Sequence, residues 1–322
     1  MAQHFLVTGA QGCIGAWVVR NLVQAGIQTT IYDLGSNLQR LRLLMDDEEM
    51  AQILYAPGGD VTDLEMVKRT FAEQGITHVI HLAALQVPFC RANPSLGAQV
   101  NVTGTVNIFE GARHVGINRV VYASSIAVYG PRDGYPPGLL SHDAPLDPRN
   151  HYGVYKQANE ATARIYYADN GISSIGLRPY TVYGPGRDQG MTSAPTSAML
   201  AAAQGEGYHI PFGGVSSYQH ADDVAKLFVK ASTVPFEGAG VFNLKGEIAH
   251  MREIITCIES AAPEVKGHIT FDDTPLPFPD GADDSELVKL MGTVPGRSLE
   301  QGIAGTIEHF RQALANGRSG LA

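Results

Sequence analysis

The sequence predicts an α/β protein: a doubly wound parallel sheet of the Rossmann kind, with a smaller C-terminal α/β lobe. Three observations carry this. Short apolar runs alternate with helical patterns through the first half, the mark of a parallel sheet covered on both faces. A glycine-rich turn, "VTGAQGCIGAWVV", stands between the first strand and the first helix. Past residue 180 the texture changes to shorter elements separated by Gly and Pro clusters. The expected division is a nucleotide-binding domain over 1–180 and a substrate lobe over 181–322, with some chain crossing back.

Each element has its own signal. His4–Val7 reads as the first strand, and Gly12–Ala25 has helical spacing that ends near Gly26. Gln28–Tyr32 is a second strand and Ile53–Tyr55 a weaker third. Asp63–Gln74 is a helix whose acidic start suits the positive end of the helix dipole. Thr77–Leu82 is a strand, Ser95–His114 one long helix, and Arg119–Ala123 another strand. Tyr152–Asp169 is helical. Gly and Pro then cluster at Tyr183–Gly190, Tyr208–Gly214 and Phe271–Gly281. Helical pieces recur near Ser193–Gln204, Asp222–Thr233, Met251–Ala261 and Ser298–Ala315, and the tail "NGRSGLA" is expected to fray.

Bulk properties exclude several function classes. The 322 residues are 44% hydrophobic and 17% charged, as in ordinary globular proteins. A net charge of −9 without a basic face argues against nucleic acid. Cys13, Cys90 and Cys257 stand far apart with no CxxC or Cys/His cluster, so they read as reduced thiols of a cytoplasmic protein, with no disulfide frame and no metal site. No apolar run approaches bilayer length, so no membrane partner is expected.

Gly9, Gly12 and Gly15 have the spacing Gly-x-x-Gly-x-x-Gly. After a strand and before a helix, such glycines allow a tight turn and close approach of backbone to a pyrophosphate at the helix N-terminus. Asp33 ends the second strand, where a carboxylate accepts the adenosine ribose hydroxyls and repels a 2′-phosphate. The nearest downstream arginine is Arg40, so NAD is favoured over NADP. In "HYGVYK", Tyr152 and Lys156 are four apart and share a helix face, whereas Tyr155 points away. A nearby ammonium is expected to lower a tyrosine pKa toward that of a usable base. Ser124 and Ser125 lie where a buried strand ends, at the ligand-facing edge of the sheet.

Taken in order, the glycine loop, Asp33, "HLAA", Asn101, "SSIAVYG", "YGVYK", "GLRPYTVYGPG" and "SYQHADDVA" resemble the extended short-chain dehydrogenase/reductase superfamily, in its NAD-dependent epimerase/dehydratase branch. The resemblance implies that Gly9, Gly12, Cys13, Ile14 and Gly15 line the pyrophosphate and that Asp33 holds the adenosine ribose. It implies that Asp60 and Val61 contact adenine, that Leu82, Ala83 and Ala84 run beneath the cofactor, and that Asn101 supports the backbone there. Ser125, Tyr152 and Lys156 would be catalytic, with Tyr152 the acid/base, Lys156 on the nicotinamide ribose, Ser124 behind Ser125, and Pro179 beside the nicotinamide. It also implies a homodimer built on a four-helix bundle.

Departures narrow the reaction. Ser125-Ile126-Ala127 occupies the place of the acidic run found in the family's dehydratases. Thr181 replaces the asparagine of an "R-x-x-N" segment, and "FGGVSSYQHADD" lacks the arginine that grips a nucleotide diphosphate. The expectation is therefore an NAD-dependent dehydrogenase acting on a secondary hydroxyl of a non-nucleotide sugar, sugar acid or polyol, the alternative being a sugar epimerase that retains its cofactor. Gln86, Ser124, Ser125, Thr181 and Arg187 are candidate substrate contacts, with Arg187 or Arg91 available for a carboxylate. His81 and His220 are expected to be structural.

Overall fold

The computed structural model describes residues 3–56 and 58–317. Residues 318–322 of the tail expected to fray lie outside them.

Six strands alternate with helices through the first half: β1 (His4–Thr8), β2 (Gln28–Tyr32), β3 (Ile53–Tyr55), β4 (His78–His81), β5 (Arg119–Ala123) and β6 (Ser173–Arg178). Six more follow: β7 (Thr181–Tyr183), β8 (Tyr208–Ile210), β9 (Val215–His220), β10 (Ala239–Asn243), β11 (Glu247–His250) and β12 (Ile269–Phe271). The main sheet has seven strands in the order β3-β2-β1-β4-β5-β6-β10, and every neighbouring pair is parallel. Burial on both faces explains why β1 is buried at all five positions. Side chains alternate between two cores: Phe5 and Val7 pack with Trp17 on one face, Leu6 with Phe71 and Phe109 on the other.

The chain past residue 180 both completes this sheet and builds on it. β10 adds the edge beside β6, and the helix Ala221–Thr233 packs on the helix Cys13–Gln24. The rest forms a three-stranded sheet, β11-β9-β7, and a parallel pair, β8–β12. Its helices Ala194–Gln204, Met251–Ala261 and Leu299–Ala315 lie within a residue of their expected bounds.

One expected element differs. The Ser95–His114 helix is split into Pro94–Ala98, a π-helical turn over Gln99–Thr103, and Gly104–Val115. The widened turn carries Asn101, whose amide bonds both backbone groups of Leu85: Oδ1 accepts its N–H at 2.7 Å and Nδ2 donates to its carbonyl at 2.9 Å. Such turns recur at functional sites, and this one fixes the strand exit beneath the crevice.

Strand order reverses between β1 and β4, whose C-terminal ends open a crevice. Open parallel sheets bind ligands at this switch point.

Candidate active site

The crevice encloses about 770 Å³. Its floor is the glycine loop. Gly9 has φ +65°, and a Cβ there would lie 2.6 Å from the Ala83 nitrogen. A Cβ on Gly15 would lie 2.1 Å from the Gly9 carbonyl oxygen. Only glycine lets the loop, the β4 exit and the first helix approach so closely. Gly12 is the N-cap of Cys13–Gln24 and supplies no side-chain cap, so the helix N-terminus is presented to the crevice with Cys13 and Ile14 beside it. Asp33 accepts the Gln11 N–H at 2.8 Å on one carboxylate oxygen, leaving the other for a ribose hydroxyl. Leu82, Ala83, Ala84, Val61 and Pro179 line the walls. This cradle fits a dinucleotide, with a dipole end for pyrophosphate and an acid for ribose. Asp60 stands at the turn before Val61. One of its carboxylate oxygens accepts the Thr62 N–H and hydroxyl at 2.8 Å each, and Val61 lines the crevice.

The helix His151–Asn170 is capped by Asn150, whose Oδ1 accepts the Gly153 N–H at 2.9 Å. It brings Tyr152 and Lys156 to the crevice and leaves Tyr155 outside, donating to the Pro94 carbonyl at 2.8 Å. Lys156 is buried; its ammonium donates to the Ala123 carbonyl at 2.7 Å and lies 5.5 Å from the Tyr152 ring centroid. Burial lowers its pKa to about 8. Ser125 caps a short 3₁₀ turn, accepts the Ala127 N–H at 3.1 Å, and acts on the Tyr152 hydroxyl to lower its pKa. The Tyr152 pKa is raised, not lowered as expected from its cation. Burial is the largest influence and outweighs the opposing pulls of Ser125 and the Arg187 charge.

Ser124 lines the crevice, but its hydroxyl is turned to the buried network behind it. Its hydroxyl donates to Glu160, which forms a forked ion pair with Arg178 at 2.7 and 2.8 Å. Arg178 continues to the Tyr129 hydroxyl and to Asn243. The wall above the serines therefore stands on a buried polar network. Thr181 lines the crevice, with its hydroxyl shared with Ser216 at 3.0 Å. His81 bridges Thr8 and Thr105 at 2.7 and 3.0 Å, and burial lowers its pKa to about 3, so it is a neutral tie. His220 caps the helix Ala221–Thr233 and is lowered alike.

The outer wall is the loop after β7. Its Arg187 is half-buried; one terminal nitrogen donates to Thr192 at 2.9 Å, and its Nε is buried with no partner among the described residues. The Gln86 side-chain oxygen abuts Gly190 in the same loop. Arg91 is exposed and outside the crevice lining. Sequence reasoning missed how this loop is held. Asp188 pairs with Arg40 across the crevice mouth, and Trp17 Nε1 donates to the Pro185 carbonyl at 2.9 Å. Both contacts join residues about 150 or more apart in sequence, beyond the reach of any local pattern.

The model of the NAD dependent epimerase/dehydratase family matches residues 5–244. A UDP-glucose 4-epimerase of Mycolicibacterium smegmatis is 30% identical over 327 residues, covering 95% of this chain and 98% of that protein. The Thermus thermophilus UDP-glucose 4-epimerase, solved with NAD, superposes with a TM-score of 0.81 at 26% identity, over 97% of this chain and 100% of that one. A partial consensus L-threonine 3-dehydrogenase shares the fold, with a TM-score of 0.83 at 22% identity over 96% and 99% of the two chains. The family's match over most of the chain agrees with the glycine cradle and the Ser125–Tyr152–Lys156 arrangement: the chain belongs to the NAD dependent epimerase/dehydratase family of extended short-chain dehydrogenases/reductases, and its cofactor is NAD.

Proposed function

We propose that the chain is an NAD-dependent dehydrogenase that oxidises a secondary hydroxyl of a non-nucleotide sugar acid or a related polyol or sugar. The observation that carries this is the state of the crevice cations. Lys156 is bonded to Ala123 and Arg40 to Asp188, which leaves Arg187, bonded to the Thr192 hydroxyl, with a buried Nε near Tyr152 that has no partner among the described residues. An uncompensated guanidinium suits a carboxylate, which it can grip with two parallel hydrogen bonds. In the segment where relatives carry a diphosphate-gripping arginine, β9 has Ser216 and Ser217.

The glycine loop, Asp33 and Lys156 hold the cofactor, which supplies the hydride acceptor when bound. Ser125 and Tyr152 together bind the reacting hydroxyl. Tyr152 takes its proton, with Lys156 and Arg187 as flanking cations that favour the phenolate. Residues 1–180 would carry the cofactor, and 181–322 most of the substrate wall.

Arg187→Met is expected to raise KM for an acidic substrate on the order of tenfold to a hundredfold while sparing neutral sugars. A panel of aldonates, uronates and uncharged sugars, followed by NADH absorbance, checks this; equal use of neutral and acidic substrates by the wild type would overturn it. The second reading is a sugar-nucleotide epimerase, favoured by the UDP-glucose 4-epimerase among the relatives. Retained cofactor with no net NADH from any substrate selects it.

A homodimer forms part of the same proposal. Val154 and Ile165 are exposed on one side of the helix His151–Asn170, an apolar stripe suited to pairing with a second copy. Sedimentation at micromolar concentration should give a dimer; a monomer refutes this.

A further inference from the structure

We infer that Asp188 sets the preference for NAD over NADP, by holding Arg40 away from the position of a ribose 2′-phosphate. In this fold an acid at the end of the second strand meets the ribose hydroxyls, and an arginine nearby accommodates the phosphate. This chain has both. Arg40 Nη1 donates to the Gln11 carbonyl at 2.8 Å, and the Gln11 N–H in turn donates to Asp33 at 2.8 Å. The guanidinium thus lies one residue's breadth from Asp33 and feels its charge. By composition alone the site is ambivalent, since Asp33 favours NAD and Arg40 could receive NADP.

Asp188 resolves the ambivalence. Its carboxylate takes Arg40 Nε at 3.0 and 3.1 Å and Nη2 at 2.5 Å. With Nη1 on Gln11, every guanidinium nitrogen is committed. The acid arrives from the far wall of the crevice, on the loop after β7, so cofactor selectivity is written partly on the substrate side. The two side chains are 20% and 32% exposed. Ion pairs so near the surface contribute little to stability, so the pair can be broken without dismantling the fold.

The inference concerns cofactor binding alone and holds whichever substrate is turned over. Its test is calorimetric titration of the full chain with NAD+ and with NADP+, with no substrate present. In Asp188→Asn, Arg40 is released, and the ratio of the NADP+ to the NAD+ dissociation constant should fall about tenfold or more. Adding Arg40→Met to that variant should remove the gain. Melting temperatures of the cofactor-free proteins should stay together; if the asparagine variant fails to fold, Asp188→Ser serves in its place. An unchanged ratio, equal weakening of both cofactors, or a gain that survives Arg40→Met would each overturn the assignment.

Discussion

Tyr152→Phe is expected to lower turnover by about 10²–10⁴-fold and to leave NAD binding nearly intact. The substitution removes one oxygen, whose pKa Ser125 and Arg187 pull down, from a ring whose centroid lies 5.5 Å from the Lys156 ammonium. The ring remains to fill the crevice wall. Tyr155→Phe is the control: its hydroxyl meets the Pro94 carbonyl outside the crevice, so most activity should survive. Because burial raises the Tyr152 pKa, the phenolate needed for oxidation is the minor form at neutral pH, and the wild-type rate should climb as pH rises. Steady-state rates with calorimetric NAD binding check this; near-normal turnover in Tyr152→Phe would remove the tyrosine from the chemistry.

Arg178→Ala is expected to destabilise the fold by about 3–5 kcal/mol, the usual cost of stranding one member of a buried ion pair. Glu160 is fully buried and would keep only the Ser124 hydroxyl of the partners described. The Tyr129 hydroxyl and Asn243 would lose the same cation. Replacing Glu160 and Arg178 together by Met should cost less than the single change, since no orphaned charge remains. Urea unfolding measures both; a single-variant loss below about 1 kcal/mol would show that water or rearrangement compensates the carboxylate.

Much of this was legible in the sequence, and the reason is distance along the chain. The glycine loop, the Tyr152–Lys156 spacing and the end of β2 at Asp33 are local patterns set by helix and strand periodicity. Asn101 was legible as a support but its π-turn was not, since a widened turn leaves no mark in residue spacing. Ser124 and Ser125 were adjacent and chemically alike. The fold separates them by the alternation at the end of β5, one facing Glu160 and the other Tyr152. The Arg40–Asp188 pair was illegible because Arg40, in the helix Gln39–Leu44, and Asp188, in the loop after β7, stand 148 residues apart and meet only in the folded chain. The Tyr152 pKa was misjudged for a related reason: a cation's pull follows from spacing, but desolvation depends on the walls that close around it.

The tie between Trp17 and Pro185 has a practical use. Trp17 is the only tryptophan in the chain, it is 6% exposed, and its indole N–H holds the loop that carries Arg187 and Asp188. Indole emission responds to the loss of a hydrogen bond and to entering water. The protein therefore carries its own optical reporter, whose emission would register any loss of that contact at the outer wall without an attached dye.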